Sequence, residues 1–299
     1  MLSDAHCHFF SDRFFAALGT QKGFTSATPD REVTSQLGWT HPGDVAQLAD
    51  IWVAELDRHN VSRVALIASI HGDEESVAAA VERHPTRFVG FFMLDPTAAD
   101  AESRIERAVA RPSLRCVCLF PAMHRYSLTD SRVGQVVTRL ASRAGMALFV
   151  HCGVLSVGVR QKLGLPSKFE MRFGNPLDVQ GLALAHPDMP VILPHFGAGL
   201  LREALMLAEA CPNVHLDTSS SNRWMRFTPG LTLRDVFASA LDVLGPKRLL
   251  FGTDSSFFPR GWQKDIHQRQ HEVVSGLGLP ADDVEAVFGG NFDRLFRVT

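Results

Sequence analysis

The chain has 299 residues, 45% of them hydrophobic and 21% charged, with a formal net charge of −2. Those values fit an ordinary globular protein and give no reason to expect nucleic acid or an anionic membrane surface as a partner. No stretch approaches the ~20 apolar residues that cross a bilayer. An acidic residue and two histidines stand where a signal peptide would need its apolar segment, so a cytoplasmic location is expected.

The first strand carries Asp4-Ala5-His6-Cys7-His8. Successive strand side chains point to opposite faces, so His6 and His8 share one face and Cys7 takes the other. Two neighbouring imidazoles are half of a transition-metal site, although His-x-His on a strand also arises by chance. Residues 9–43, rich in Phe, Thr, Ser and Gly, then read as one long irregular loop over an end of the fold.

A helix follows between Asp44 and His59, with Leu48, Ile51, Val53 and Leu56 as its apolar positions. The second strand is Val64 to Ala68, and a helix from about Asp73 to His84 stops at Pro85. Phe88 to Phe92 and Cys116 to Phe120 are the third and fourth strands, separated by a helix over roughly Ala98 to Ala110. A helix from about Asp130 to Ala144 precedes the fifth strand, Ala147 to His151. A second long loop, Cys152 to Gly174, leads to Asn175-Pro176, an N-cap with proline at the first helical position.

The sixth strand, Val191 to His195, turns through Gly197 and Gly199 into a helix over Leu201 to Cys211. The seventh is Val214 to Asp217, followed by a helix over Leu233 to Leu244. The eighth, Leu249 to Gly252, runs into Thr253-Asp254, and two helical segments follow. Short apolar runs alternating with helices describe parallel strands covered on both faces. At roughly 35 residues per strand they predict an α/β fold, a single (β/α)8 TIM barrel with long loops after strands one and five. No Gly-x-Gly-x-x-Gly follows the first strand, which weighs against a doubly wound sheet. With no linker or repeat, residues 1–299 are expected to form one domain. The five cysteines include no Cys-x-x-Cys pair and are expected to be reduced and mostly buried.

In such a barrel the C-terminal strand ends form the active face. There lie His6 and His8 on strand one, His151 on five, His195 on six and Asp254 after eight. Taken singly, each has an ordinary explanation: His151 or His195 as a satisfied core histidine, Asp254 as a helix N-cap. Together they place four imidazoles and a carboxylate in one mouth. A buried polar group without a partner costs a few kcal/mol, so the five call for a bound metal.

The chain resembles the amidohydrolase superfamily, and within it the amidohydrolase-related branch that holds aminocarboxymuconate semialdehyde decarboxylase and 2-pyrone-4,6-dicarboxylate lactonase. The matching stretches are Asp4-Ala5-His6-Cys7-His8, Val150-His151-Cys152, Pro194-His195-Phe196-Gly197, Leu250-Phe251-Gly252-Thr253-Asp254, and Phe288-Gly289-Gly290-Asn291 with Leu295-Phe296. The resemblance implies that His6, His8, His151 and Asp254 ligate one divalent ion, zinc first and manganese or iron as alternatives. It makes His195 a general acid/base beside the metal and Asp254 the acceptor of a proton from the attacking water. Binuclear relatives carry a lysine at the end of strand four; here that strand has none, which favours a single ion. Some decarboxylating relatives have Glu in place of the first histidine, so His6 leans towards hydrolysis of a lactone, ester or amide. Decarboxylation of an unsaturated or aromatic acid is the alternative, and a barrel that has lost turnover is a third reading. Relatives also imply pairing into a homodimer.

For substrate contacts the candidates are Arg160, Arg172, Arg223 and Arg226 after strands five and seven, with His124 and His71 after four and two. Arginine clamps carboxylates in bidentate fashion, although surface arginines are commonly just solvated. Phe9, Phe10, Phe257, Phe258 and Trp262 flank ligand positions and are expected to wall an apolar pocket, or else to pack loops together. A small carboxylated cyclic or aromatic substrate is the resulting expectation.

Overall fold

The architecture comes from a computed structural model that describes residues 1–256 and 260–296. Eight strands form one parallel sheet in sequence order: β1 (Ser3–Phe9), β2 (Arg63–Ala68), β3 (Phe88–Leu94), β4 (Leu114–Leu119), β5 (Ala147–Val150), β6 (Val191–Leu193), β7 (Val214–Asp217) and β8 (Leu249–Leu250). The sheet closes on itself beyond the short β8. Ala5 N–H donates to Phe251 O at 2.8 Å, Asp254 N–H to His6 O at 2.9 Å and His8 N–H to Ser255 O at 2.6 Å. The result is a TIM barrel.

Between β1 and β2 lie α1 (Asp12–Lys22), α2 (Pro29–Leu37) and α3 (Val45–Arg58). The barrel continues with α4 (Glu74–Arg83), α5 (Ala101–Val109), α6 (Pro121–His124) and α7 (Ser131–Ala141). After β5 come α8 (Gly158–Lys162) and α9 (Gln180–Ala185), then α10 (Leu201–Ala210) after β6 and α11 (Leu233–Leu244) after β7. The described chain ends with α12 (Lys264–Ser275), α13 (Ala281–Glu285) and α14 (Asn291–Phe296).

Strand alternation sorts the core into two layers. Ile67, Phe91, Met93, Cys116, Cys118, Phe149, Ile192 and Leu250 fill the barrel interior, joined from below by Phe292 and Phe296 of α14. Leu66, Phe92, Val117, Leu148, Leu193 and Leu216 face the surrounding helices. All five cysteines are buried and free.

The long connector after β1 departs from the expected irregular loop. Ser11 caps α1, its Oγ accepting from Phe14 N–H at 3.1 Å, and Gly23 ends that helix with φ 91°. Pro29 opens α2, and Gly38 closes it in the left-handed region at φ 69°. Phe14, Phe15, Leu18 and Val33 bury one face of this pair against Val159, Leu163 and Leu165 of the loop after β5. Each helix is only two to three turns long, and tertiary contact rather than propensity supports a helix that short. The two long connectors thus form one structure with a small core of its own, tied by Lys22 Nζ donating to Leu163 O at 2.7 Å.

Candidate metal centre and its cavity

At the C-terminal end of β1, a register shift between Asp4 and Cys7 lets the strand deliver both histidines inward. His6 Nε2 and His8 Nε2 stand 3.3 Å apart. Asp254 Oδ1 lies 3.1 Å from His8 Nε2 and 3.7 Å from His6 Nε2. Asp254 holds φ 60° on the turn after β8, a conformation that only a few non-glycine residues adopt and that is common at functional sites.

The far nitrogens of both rings are engaged. His6 Nδ1 lies 2.6 Å from Asp217 Oδ2, and a carboxylate only accepts, so the Nδ1 proton sits there. His8 Nδ1 lies 2.8 Å from Ser69 Oγ, whose own proton goes to Ile67 O at 3.0 Å, so His8 Nδ1 is the donor. Neutral imidazoles bound this way present bare lone pairs at both Nε2 atoms. Two lone pairs and a carboxylate oxygen converging within 3.7 Å repel one another unless a positive charge lies among them. The donor set therefore fits a divalent cation, with second-layer hydrogen bonds of the kind that orient metal-ligating histidines.

The electrostatics point the same way. Burial raises the Asp254 pKa, but the contact with His8 and the other neighbouring imidazoles outweigh it and hold the carboxyl below its usual range. Burial works against a charged His6, yet the Asp217 carboxylate raises its pKa overall, so the surroundings of this ring favour positive charge. Burial keeps His8, His151 and His195 below the ordinary histidine value.

His151, also expected as a ligand, lies in the same mouth but outside this three-residue set. Its ring stacks on Phe120 at 5.3 Å and meets the His195 ring edge-on at 5.3 Å, and its buried Nδ1 has no hydrogen-bond partner among the described residues. His195 follows β6 with φ 57°, and its Nδ1 is 2.9 Å from Ser219 Oγ. Its ring lies 5.0 Å from that of His6.

Asp217 and Ser219, at the end of β7, have no part in the sequence-based site. Asp217 occupies a strand end just as the chosen histidines do, and that position was the available signal. Nothing in the local pattern singles out Ser219 or Ser69.

The mouth opens into a cavity of about 1350 Å3. Phe10, Phe14 and Trp39 from the β1 connector wall it, as do His71, His124, Arg160, Arg223 and Arg226. Arg160 is engaged as a strut, donating to Gln21 Oε1 at 2.5 Å and to Pro166 O at 2.8 Å. His71 is held by Asp100 at 2.9 Å and by the Asp95 N–H at 3.0 Å. His124 Nδ1 is buried without a partner among the described residues.

Two candidates for substrate contact fall elsewhere. Arg172 pairs with Glu170 at 2.8 Å and covers the Phe173 ring, outside the cavity lining. Trp262 is buried behind the barrel wall, its Nε1–H donating to Asp4 Oδ2 at 2.8 Å and its backbone N–H to Glu55 at 2.9 Å. It secures the turn that carries Asp254. Phe9 points outward into the helix-facing core, while Phe257 and Phe258 lie outside the described residues.

Among the described residues the cavity lining contains Arg125, Arg160, Lys162, Lys168, Arg223, Arg226 and Arg260 against a single carboxylate, Asp254. None of these seven cations makes a side-chain ion pair with a carboxylate among the described residues, whereas arginines on the outer surface commonly do, as Arg83 with Asp50 and Arg104 with Glu74.

Residues 3–298 match the family model described as Amidohydrolase. Among solved structures, 5-carboxyvanillate decarboxylase from Sphingomonas paucimobilis is similar at TM-score 0.66 and 19% identity, covering 100% of this chain and 99% of that one. A zinc-bound amidohydrolase from Burkholderia multivorans is similar at 0.65 and 18%, covering 100% of both chains. A probable 2-pyrone-4,6-dicarboxylic acid hydrolase from Acinetobacter baumannii, with citric acid bound, is similar at 0.63 and 12%, covering 99% of both. No curated protein sequence matches the chain significantly.

Proposed function

Because this chain belongs to the amidohydrolase family, we propose that it is a metal-dependent hydrolase cleaving a C–O or C–N bond in a small carboxylated cyclic or aromatic substrate. The observation that carries this reading is the meeting of His6 Nε2, His8 Nε2 and Asp254 Oδ1 at the floor of a cationic cavity. With His151 beside them, these residues would hold one divalent ion, zinc first, with manganese or iron as alternatives. Phe120 stands at the end of β4 with an aromatic ring rather than a donor atom, which favours a single ion.

Once bound, such an ion supplies Lewis acidity and makes water acidic enough to deprotonate near neutral pH. Asp254, kept anionic by its imidazole neighbours, is the chain's proton acceptor for the incoming water. His195 faces the same space and interacts with the oxygen on which charge builds. The cations of the lining orient a carboxylate by charge-assisted hydrogen bonds. Phe10, Phe14 and Trp39 give flat apolar walls suited to a ring.

A lyase that releases carbon dioxide from an unsaturated or aromatic acid is the second reading, favoured by the same cationic lining, which binds a carboxylate whichever bond breaks. Turnover of a panel of lactones, esters, amides and aromatic acids in 18O-water, with carbon dioxide trapped, separates them. Hydrolysis incorporates solvent 18O into the product with no gas released. Carbon dioxide release without 18O incorporation would replace the hydrolase by the lyase.

A further inference from the structure

We infer that Ser219 is a positioning residue that fixes His195 as its Nε2–H tautomer, so that His195 offers the reacting group a hydrogen-bond donor and not a lone pair. The inference rests on the mouth being the active site and deepens that reading by assigning the protonation of one ring.

The protons of a buried chain of polar groups fix the tautomer. Asp217 accepts at both oxygens: Oδ1 from Ser219 N–H at 2.6 Å and Oδ2 from His6 Nδ1 at 2.6 Å. The carboxylate has no proton to give, so His6 Nδ1 carries one. Ser219 Oγ lies 3.0 Å from that same His6 Nδ1 and 2.9 Å from His195 Nδ1. It cannot donate to a nitrogen that already bears a proton. The hydroxyl hydrogen therefore points to His195 Nδ1, the acceptor left to it among the described residues. A neutral His195 whose Nδ1 accepts must carry its proton on Nε2.

One contact opposes this assignment. The Ser219 backbone carbonyl lies 3.3 Å from His195 Nδ1, and a carbonyl accepts only, so it favours a proton on Nδ1. The hydroxyl contact is shorter by 0.4 Å, and turning the Ser219 hydroxyl away would leave a buried O–H without an acceptor, a cost of about 1–3 kcal/mol. Ser219 is fully buried, so no exposure to bulk water relieves it. His195 Nε2 makes no hydrogen bond to a described residue, and His195 lines the cavity.

The chemical consequence concerns roles. An Nε2–H imidazole does not take a proton from water; it donates to the oxygen of a scissile carbonyl as negative charge develops. That leaves proton acceptance to Asp254 and gives the two residues separate duties.

Long-range 15N–1H correlation spectra of the zinc-loaded protein labelled with 15N-histidine test the assignment, with the His195 signals identified by their loss in His195→Gln. The expected wild-type pattern is a protonated Nε2 and a bare Nδ1. In Ser219→Ala the carbonyl contact is left unopposed and the pattern reverses, with kcat falling about 100-fold and KM and zinc content nearly unchanged. A wild-type spectrum with the proton on Nδ1 overturns the inference without any variant. A Ser219→Ala protein that keeps both the Nε2–H pattern and full kcat overturns it as well. An Nε2–H pattern in a protein inactive on every substrate of the panel supports the tautomer and removes the hydrolase reading.

Discussion

Asp217 holds no position in the donor triad, yet it fixes the proton of His6 from 211 residues away in sequence. Replacing it with Asn keeps the shape and removes the charge that orients and enriches the His6 ring. Asp217→Asn is expected to weaken zinc binding about 10- to 100-fold, measured by competition with a chromogenic chelator. Unchanged affinity would show that the His6–Asp217 contact is only structural.

Two positions up the same strand, His215 illustrates the opposite use of a buried imidazole. Burial, helped by the positive charges of Arg294 and Arg248, lowers its pKa from 6.5 to about 4. A folded-state pKa below the unfolded one contributes stability that is present above pH 6.5 and lost as pH falls from there towards 4. The loss approaches ~3 kcal/mol if the full shift is realised. His215→Asn should flatten the fall in unfolding free energy across that interval, read from urea denaturation at several pH values. A wild-type-minus-variant difference that does not move with pH would refute the assignment.

Among the elements, the pair α1 and α2 with the loop around α8 stands apart from the barrel. Its apolar contacts close on themselves through Phe14, Phe15, Leu18, Val33, Val159, Leu163 and Leu165. Local stability follows local packing, so this unit can open without the barrel unfolding. Phe15→Ala removes a fully buried ring from it, at a cost of roughly 3–5 kcal/mol to the unit. Amide exchange over residues 12–38 should quicken markedly while strands β2 to β4 keep their protection, and KM should rise because this unit walls the cavity. Equal acceleration throughout the barrel would show that the unit and the barrel unfold together. The turn after β8 is held differently. Asp4 accepts from Thr253 N–H at 3.1 Å, Thr253 Oγ1 at 2.5 Å and Trp262 Nε1 at 2.8 Å, which joins the first strand to the segment that carries Asp254.

For the molecule as a whole, a net charge of −2 hides an uneven distribution. Among the described residues seven cations and one carboxylate line the mouth, and the balancing acids lie elsewhere. Such a mouth draws in anions from a distance and loses that advantage as salt screens it. Arg223→Gln combined with Arg226→Gln should raise KM for a carboxylated substrate roughly tenfold with a smaller effect on kcat, and should reduce the dependence of kcat/KM on ionic strength. A double variant with an unchanged salt dependence would show that these two side chains do not meet the substrate. Among the described residues no helix is long and apolar enough to cross a membrane.

The order of the eight strands, their inward and outward faces and the strand-end positions of His6, His8, His195 and Asp254 could all be read from the chain. Each follows from a period of two within a strand and from one strand following another, and these are local properties. The helices of the first long connector escaped that reading because they are short and lean on a loop more than 100 residues further on, with Lys22 reaching Leu163 across 141 positions. Side-chain direction likewise lay beyond it. Only the closed barrel turns Trp262 towards Asp4, and only closure brings Asp217 at the end of β7, and Ser219 just beyond it, against His6 of β1. Periodicity along a chain says which face a residue takes; the neighbours it meets there are set by elements that sequence separation keeps far apart, so they appear only once the barrel has closed.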